Sequence, residues 1–399
     1  MRSFAIFATV SKNEEDLKMS ENHFIIPNAL QIVIDDLGWM NGRDDRAEGG
    51  PSRTGMPRRH CAQDYIAVNE LGKALGMRIN CAFVIGEWDP DNRLGRLPNF
   101  SKYGDRWDNA KYLDREELRR IVEVVNASEY IDLSIHGLMH GYYADFVDNK
   151  DASDFFYQEN GVKYMIPEEE LRARLDAFFG LLEYHGVKKE INSYVPSSAL
   201  YIFDTMSKIL AEYGVKYILQ PFVHTDFGGE KPFLVTLENG IITTDRNHFI
   251  ENHTSIDNVL PWDQCESDFL ALPKSKCVIG SHFPNYLHRD PQRNGELTAA
   301  IASYVKSCAD VFGSMMSRDL AFYSTQALYK RFARTEEKDG TFTVDISGVP
   351  NPVGNLGKFY ISAKKPIKGC VGGEIRLYET KQTHRTYEVV PSAKILTFF

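Results

Sequence analysis

The chain has 399 residues, enough for a large hydrophobic core and for more than one domain. Hydrophobic residues make up 43% and charged residues 25%, as is typical of globular proteins, and the formal net charge is −9. This negative balance argues against nucleic-acid or anionic-membrane binding, and no apolar run approaches the ~20 residues of a membrane-spanning helix.

The N-terminus does not fit a secretory signal peptide. Its short apolar stretch, "MRSFAIFATV", is followed at once by "SKNEED", without a small-residue cleavage site. Residues 1–24 are therefore predicted to be an N-terminal extension, and Met19 is a second candidate start. Six scattered cysteines without a C-x-x-C pair predict free thiols in a reducing, cytoplasmic location.

Strand-like and helix-like segments alternate from about residue 28 to 335, which predicts a parallel sheet that is either doubly wound or closed as a barrel. Both architectures place their chemistry at the carboxyl ends of the strands. No G-x-G-x-x-G or Walker-type motif supports nucleotide binding. The predicted strands are 30–35, 78–85, 130–136, 191–195, 215–220, 241–244, 276–281 and 319–324, and the predicted helices include 61–75, 116–127, 168–186 and 294–313.

The first polar cluster is "QIVIDDLGW", an apolar strand that ends in Asp35 and Asp36. Adjacent carboxylates repel each other, and burial of either without a partner costs several kcal/mol. Either the pair lies at a solvated strand end or a cation is held there. The following segment, 40–60, is rich in Gly, Pro and Arg, and fits a binding loop and a solvated surface loop equally well.

The second cluster is "YIDLSIHGLMHGYY", in which apolar and polar residues alternate with the period of a strand. His136 and His140 are four residues apart, a spacing that on a helical turn brings both imidazoles to one metal ion. An ordinary hydrogen-bonded pair is an open alternative. Gly137 supplies no glutamate base, so the H-E-x-x-H protease pattern is not met.

Both clusters end predicted parallel strands, so they can meet at one edge of the sheet. Two imidazoles and one carboxylate form a facial set for a divalent cation, which leaves the second aspartate free as a base. A third histidine, His282, follows the apolar strand of "CVIGSHFPNY" and fits a catalytic or a capping role.

These pieces, in this order, resemble the polysaccharide deacetylase family, the homologues of nodulation chitooligosaccharide deacetylase. Its strand ending in Asp-Asp corresponds to residues 33–37, its H-[ST]-x-x-H motif to 136–140, and its late strand before histidine to 279–282. The resemblance implies a distorted (β/α)7-type barrel over residues 25–335. The roles that it implies are Asp35 as general base, His282 as general acid, and Asp36, His136 and His140 as metal ligands.

Three departures mark a divergent relative. Gly137 replaces Ser or Thr, Leu37 replaces Gly, and the third motif, which includes Tyr194 and Pro196, lacks the arginine that fixes the family's catalytic base. Substrate contacts are expected from Trp39, Arg43, Tyr194, Pro196 and Trp262, and Trp262 fits a packing role equally well.

The expected reaction is metal-dependent hydrolysis of an amide C–N bond, foremost N-deacetylation of an amino sugar or polysaccharide, with a backbone N–H near Tyr194 helping to stabilise the oxyanion. Zn²⁺ is the expected metal, and Fe²⁺, Co²⁺ and Ni²⁺ suit the same ligands. The alternatives are a small non-sugar amide as substrate, an inactive carbohydrate-binding protein, and a non-haem iron oxygenase. The oxygenase ranks low because its ligands are usually close in sequence on a jelly-roll.

The composition changes near residue 336, and residues 340–399 read as a small all-β module of short strands with turn signals. This segment holds eight Lys/Arg and four Asp/Glu, so its net charge is positive while that of the whole chain is negative. The module is expected to bind carbohydrate, to pack on its own chain or to mediate a homo-oligomer.

Overall fold

A computed structural model describes residues 24–42, 53–147, 153–199, 204–222, 232, 234–246, 260–276, 278–338, 340–350 and 357–399. The chain divides into two compact units. The larger unit comprises residues 27–332 with 349–356, and the smaller one combines the N-terminal residues up to Ile26 with 333–348 and 357–399.

Within the described residues, the larger unit contains the six α-helices and all of the parallel strand pairings. The helices are α1 (Ala62–Leu75), α2 (Arg115–Ala127), α3 (Glu168–Tyr184), α4 (Thr205–Glu212), α5 (Asn294–Phe312) and α6 (Leu320–Phe332). The strands found in the described residues of both units are β1 (Phe24–Ile25), β2 (Ala29–Leu37), β3 (Ile79–Val84), β4 (Ile131–Gly137), β5 (Phe156–Glu159), β6 (Val162–Met165), β7 (Ile191–Tyr194), β8 (Tyr217–Gln220), β9 (Val235–Glu238), β10 (Ile241–Asp245), β11 (Val278–His282), β12 (Met315–Met316), β13 (Arg334–Lys338), β14 (Thr341–Asp345), β15 (Phe359–Ala363), β16 (Cys370–Val371), β17 (Gly373–Thr380), β18 (Arg385–Pro391) and β19 (Ile395–Phe398).

The main sheet of the larger unit has the strand order β11-β2-β3-β4-β7-β8-β10-β9, with β12 also paired to β2. Every neighbouring pair is parallel except β10 with β9. The fold is therefore mixed α/β. Since parallel strands share one direction, the ends of β2, β4 and β11 lie at the same edge of the sheet.

The alternation predicted for β4 is confirmed. Ile131, Leu133 and Ile135 belong to the hydrophobic core. On the opposite face of the sheet, the hydroxyl of Ser134 donates to the side chain of Asn80, with an oxygen–oxygen distance of 2.8 Å. One apolar and one polar face of the same strand thus bring polar side chains to its carboxyl end.

The predicted strand at 319–324 is wrong, because these residues begin helix α6. The carboxylate of Asp319 accepts the main-chain N–H of Phe322 at 2.8 Å, and its carbonyl accepts that of Tyr323 at 3.0 Å. An aspartate that caps the first turn starts a helix even where the following residues are aromatic.

The smaller unit contains two four-stranded sheets, with the orders β1-β15-β18-β17 and β13-β14-β19-β16. The pairings within both sheets are antiparallel. Strand β1 pairs with β15, so residues 24 and 25, on either side of the predicted first boundary, belong to one strand of this unit.

No helix in the described part of the chain is long and apolar enough to cross a membrane. The cysteines that the structure describes are all free: Cys61, Cys81, Cys265, Cys308 and Cys370. Cys277 lies outside the described residues.

Candidate metal centre

The two adjacent aspartates lie at a bulge of β2. The register between β2 and β3 shifts between Ile34 and Leu37, so β2 contains one extra residue there. Asp36 has a φ of 66°, in the left-handed region. A bulge changes the direction of a side chain, and this one lets the two carboxylates bind different partners although both are buried.

His136 lies at a second bulge. The register of β4 shifts against both neighbouring strands near this residue. Nδ1 of His136 is 2.7 Å from the carbonyl oxygen of Val195. Because a carbonyl only accepts, Nδ1 carries the proton and Nε2 keeps its lone pair for a metal.

His140 lies in the turn that follows β4, and not on a helical turn as its spacing predicted. Gly137 has a φ of 134° and His140 a φ of 53°. These left-handed conformations fold the chain back so that the two rings approach, with 5.1 Å between their centroids. The two histidines are therefore close to each other, as predicted. The backbone between them is an irregular turn and not a helical turn, because residues with positive φ end regular secondary structure.

Asp36, His136 and His140 form a group that could hold one metal ion, with ligand atoms all within 4.8 Å of one another. Oδ1 of Asp36 is 3.7 Å from Nε2 of His136 and 3.8 Å from Nε2 of His140. This oxygen is buried without a hydrogen-bond partner among the described residues. Metal–ligand bonds of about 2.0–2.2 Å put neighbouring tetrahedral ligand atoms about 3.4 Å apart, so the three residues fit an ion after a small contraction.

The charge around Asp36 favours its ionised form. Burial by itself would raise the pKa of this carboxyl, but electrostatic interactions with His140, Arg53, His282 and His136 lower it to well below its usual range. Asp36 is therefore an anion ready to bind a cation.

Arg53, which sequence reasoning missed, binds one of the candidate ligands. Its Nη2 lies 2.9 Å from Nδ1 of His140, and its guanidinium lies over the ring of Trp262 at 5.9 Å. A guanidinium only donates, so Nδ1 of His140 accepts and the ring proton lies on Nε2, which faces Asp36. Metal binding through this Nε2 requires the proton to leave it and Arg53 to turn away from a protonated Nδ1.

Asp64 anchors the segment that carries Arg53. Its buried carboxylate binds both Nη atoms of Arg58 at 2.8 Å and lies 3.3 Å from Nδ1 of His60. Burial by itself would raise the pKa of Asp64, but these partners lower it well below its usual range. His60 Nε2 in turn contacts the carbonyl of Thr54 at 3.0 Å. This chain of contacts stabilises the segment whose Arg53 binds the candidate ligand His140.

Asp35 is paired with a second arginine that sequence reasoning missed. Nη1 of Arg246, directly after β10, donates to Oδ2 of Asp35 at 2.7 Å. The pair is buried, with side chains 3% and 8% exposed. Gly280 leaves the space that Arg246 occupies, because a Cβ there would lie 2.6 Å from Nη2. An arginine thus fixes Asp35 although none is present at Tyr194 or Val195.

His282 ends β11, and its Cα is the register partner of Asp35. Its main-chain N–H donates to Oδ1 of Asn285 at 3.0 Å. Its imidazole also interacts electrostatically with Asp36. The predicted base, the predicted acid and the three predicted ligands therefore lie together at one edge of the sheet.

The predicted substrate contacts lie in different environments. Trp39 is 0% exposed in the hydrophobic core, so it packs the interior and has no open face for a sugar. Tyr194 and Pro196 are buried on either side of Val195, whose own N–H donates to the carbonyl of Ile135 at 3.0 Å. That N–H is therefore unavailable to an oxyanion. Trp262 is partly exposed beside Arg53, and Arg43 lies outside the described residues.

The start of the 40–60 segment is held by the short helical turn that follows β3, residues 86–88. Oε2 of Glu87, which is buried, accepts the main-chain N–H groups of residues 40, 41 and 42 at 2.8, 2.6 and 3.1 Å. This contact fixes the chain as it leaves the aspartate pair.

Comparison with known proteins finds no matching family model and no matching curated protein. Among solved structures, the chain is 11% identical to the 4-alpha-glucanotransferase from Thermococcus litoralis, with a TM-score of 0.34 over 73% of this chain and 37% of that one. It is 11% identical to the GH57-type branching enzyme from Pyrococcus horikoshii, with a TM-score of 0.39 over 74% of this chain and 69% of that one. It is 10% identical to a candidate polysaccharide deacetylase from Mycobacterium smegmatis, with a TM-score of 0.31 over 79% of this chain and 81% of that one. These TM-scores are too low to assign a fold or a site to this chain.

Proposed function

We propose that this protein is a metal-dependent hydrolase of amide C–N bonds. The observation that carries the proposal is the buried Oδ1 of Asp36, which faces Nε2 of His136 and of His140 and has no hydrogen-bond partner among the described residues. A buried carboxylate oxygen that accepts no hydrogen bond is costly, and a divalent cation removes that cost.

Asp36, His136 and His140 would hold the ion. A bound divalent ion supplies a Lewis acid that polarises the amide carbonyl and lowers the pKa of a bound water. A set of two histidines and one carboxylate suits Zn²⁺ best and also accepts Fe²⁺, Co²⁺ or Ni²⁺.

Asp35 is the proposed general base, and His282 the proposed general acid. Asp35 takes a proton from a water molecule while the oxygen of that water forms a bond to the carbonyl carbon. The C–N bond then breaks, and protonated His282 gives its proton to the departing amine. Arg246 supports this assignment, because it binds one oxygen of Asp35 and so orients the carboxylate.

The substrate class that we propose is an N-acetylated amino sugar or polysaccharide, and the chain is then a divergent relative of the polysaccharide deacetylases. The strand order supports a distorted (β/α)7-type barrel, because β2, β3, β4, β7, β8 and β10 follow in sequence and the seventh parallel strand, β11, returns beside β2. A doubly wound sheet would reverse its order at a switch point. We further propose that residues 340–399 form a C-terminal β module.

Exchange of each adjacent aspartate separately tests the division of roles. Asp35→Asn is expected to keep the metal and to lose hydrolysis of N-acetylated sugars and small amides by at least about 100-fold, since general-base catalysis contributes about 10²–10⁴-fold. Asp36→Asn is expected to lose the metal and the activity together. Asp35→Asn with wild-type activity would contradict the base assignment, and Asp36→Asn with full metal content would contradict the ligand assignment.

A further inference from the structure

The carboxylate of one residue, Asp154, accepts the main-chain N–H groups of the turn that contains His140. Oδ2 of Asp154 accepts the main-chain N–H groups of Leu138, Met139 and His140 at 3.0, 3.1 and 2.6 Å. Oδ1 accepts that of Met139 as well, at 3.1 Å. Asp154 is 0% exposed, so no water competes for these donors. Its carboxylate therefore fixes three successive peptide groups, the last of which belongs to a candidate ligand.

The turn and this carboxylate are fitted to each other. A Cβ on Gly137 would lie 2.1 Å from Oδ2 of Asp154, so a side chain at residue 137 would displace the carboxylate. Arg174 contacts the other oxygen, with Nη1 3.4 Å from Oδ1. Its Nη2 donates to the carbonyls of Pro98 and Asn99 at 3.0 and 2.8 Å. Asp154 is thus itself held in place from helix α3.

The residues on either side of Asp154 reach the second histidine. The hydroxyl of Ser153 bonds to that of Ser197 at 3.1 Å, and the ring of Phe155 packs against that of Tyr194 with 5.7 Å between centroids. Tyr194 and Ser197 flank Val195, whose carbonyl binds Nδ1 of His136. One short segment, 153–155, therefore contacts the supports of both histidines, and its central residue, Asp154, lies 14 residues after His140 in the chain.

We propose that segment 153–155 sets the metal affinity of the site, with Asp154 as the positioning residue for His140 and Ser153 as a support for His136. The inference rests on the proposed function, because it needs Asp36, His136 and His140 to bind a metal. Preorganised ligands lose little entropy on binding, and groups that orient the ligands typically change metal affinity by about 10–100-fold.

The test measures the Co²⁺ dissociation constant of the full chain by chelator competition, together with the visible Co²⁺ spectrum and the thermal midpoint. Asp154→Asn keeps the shape of the side chain, but its amide NH₂ group then faces either the main-chain N–H groups or Arg174, which are donors themselves. This variant is expected to weaken Co²⁺ binding about 10–100-fold. Asp89→Asn is the matched control. Asp89 is 0% exposed and accepts the main-chain N–H groups of Arg93 and Leu94 at 3.0 and 2.9 Å. This control is expected to lower the thermal midpoint and to leave the Co²⁺ affinity unchanged.

Ser153→Ala is a milder variant that decides the matter if Asp154→Asn does not fold. Loss of one buried hydrogen bond is expected to weaken Co²⁺ binding by about 2- to 10-fold. Wild-type affinity and spectrum in Asp154→Asn, or in Ser153→Ala when the former does not fold, would overturn the inference and leave the metal site standing. A wild-type protein that binds no Co²⁺ would overturn the metal site, and the inference with it.

Discussion

The buried ion pair of Asp35 and Arg246 allows a stability prediction that is independent of any substrate. Replacement of Arg246 by Met removes the guanidinium and leaves the Asp35 carboxylate buried, with its partner atom gone. Loss of one partner of a buried pair costs about 3–5 kcal/mol, because the remaining charge has neither solvent nor counter-charge. We expect Arg246→Met to lower the free energy of unfolding by this amount.

Exposure, and not the presence of an ion pair, should decide the size of the effect. Lys216 and Glu190 form a pair at 3.6 Å whose side chains are 50% and 73% exposed. Because exposed pairs contribute about 0–1 kcal/mol, Lys216→Met should change the free energy of unfolding by no more than that. In the double variant Asp35→Asn/Arg246→Met the cost should be smaller than the sum of the two single costs, since no buried charge is then left alone.

Urea unfolding followed by tryptophan fluorescence is the assay. The four tryptophans, Trp39, Trp88, Trp107 and Trp262, all belong to the larger unit, so their signal reports on the unit that contains the pair. If Arg246→Met and Lys216→Met have equal effects, or if the costs of Asp35→Asn and Arg246→Met simply add, the reasoning from burial is refuted.

Three further predictions follow from the same contacts. Asp64→Asn should lower the free energy of unfolding most at pH 7 and progressively less below about pH 4, because the lowered pKa of Asp64 gives a contribution to stability that is lost as pH falls. Urea unfolding at several pH values measures this difference, and an equal difference at pH 7 and pH 3 would contradict the prediction. Gly280→Ala should displace the guanidinium of Arg246, so it should cost stability in the wild type and little in the Arg246→Met background; equal costs in both would contradict the contact. In metal-free protein, ¹⁵N NMR should find the proton of His140 on Nε2, and saturation with Zn²⁺ should move it to Nδ1; a proton on Nδ1 in both states would contradict the contact with Arg53.

Much of the site could be predicted because its residues end strands. Asp36 follows a continuous apolar run and His136 follows an alternating one, and parallel strands bring their carboxyl ends together. The prediction stopped at the backbone detail. The bulges at these two residues depend on pairing with neighbouring strands, and a single sequence does not contain that register.

The supporting residues could not be predicted for a related reason. Arg246 lies 211 residues from Asp35 and follows a short strand without any motif, and Asp154 belongs to an irregular segment. The one available signal was Gly137, whose missing side chain leaves room for Asp154. Trp39 was misjudged because an indole beside polar residues fits a substrate contact and a core position equally well.

The metal content of the purified protein tests the central claim most directly. Mass spectrometry of the wild type should find about one transition-metal ion per chain after loading with Zn²⁺. The His136→Ala/His140→Ala variant should hold none, and the matched variant His185→Ala/His288→Ala, which removes two imidazoles outside the site, should keep it. A wild type that takes up neither Zn²⁺, Co²⁺ nor Fe²⁺, or a His136→Ala/His140→Ala variant that keeps its ion, would contradict the proposed metal centre.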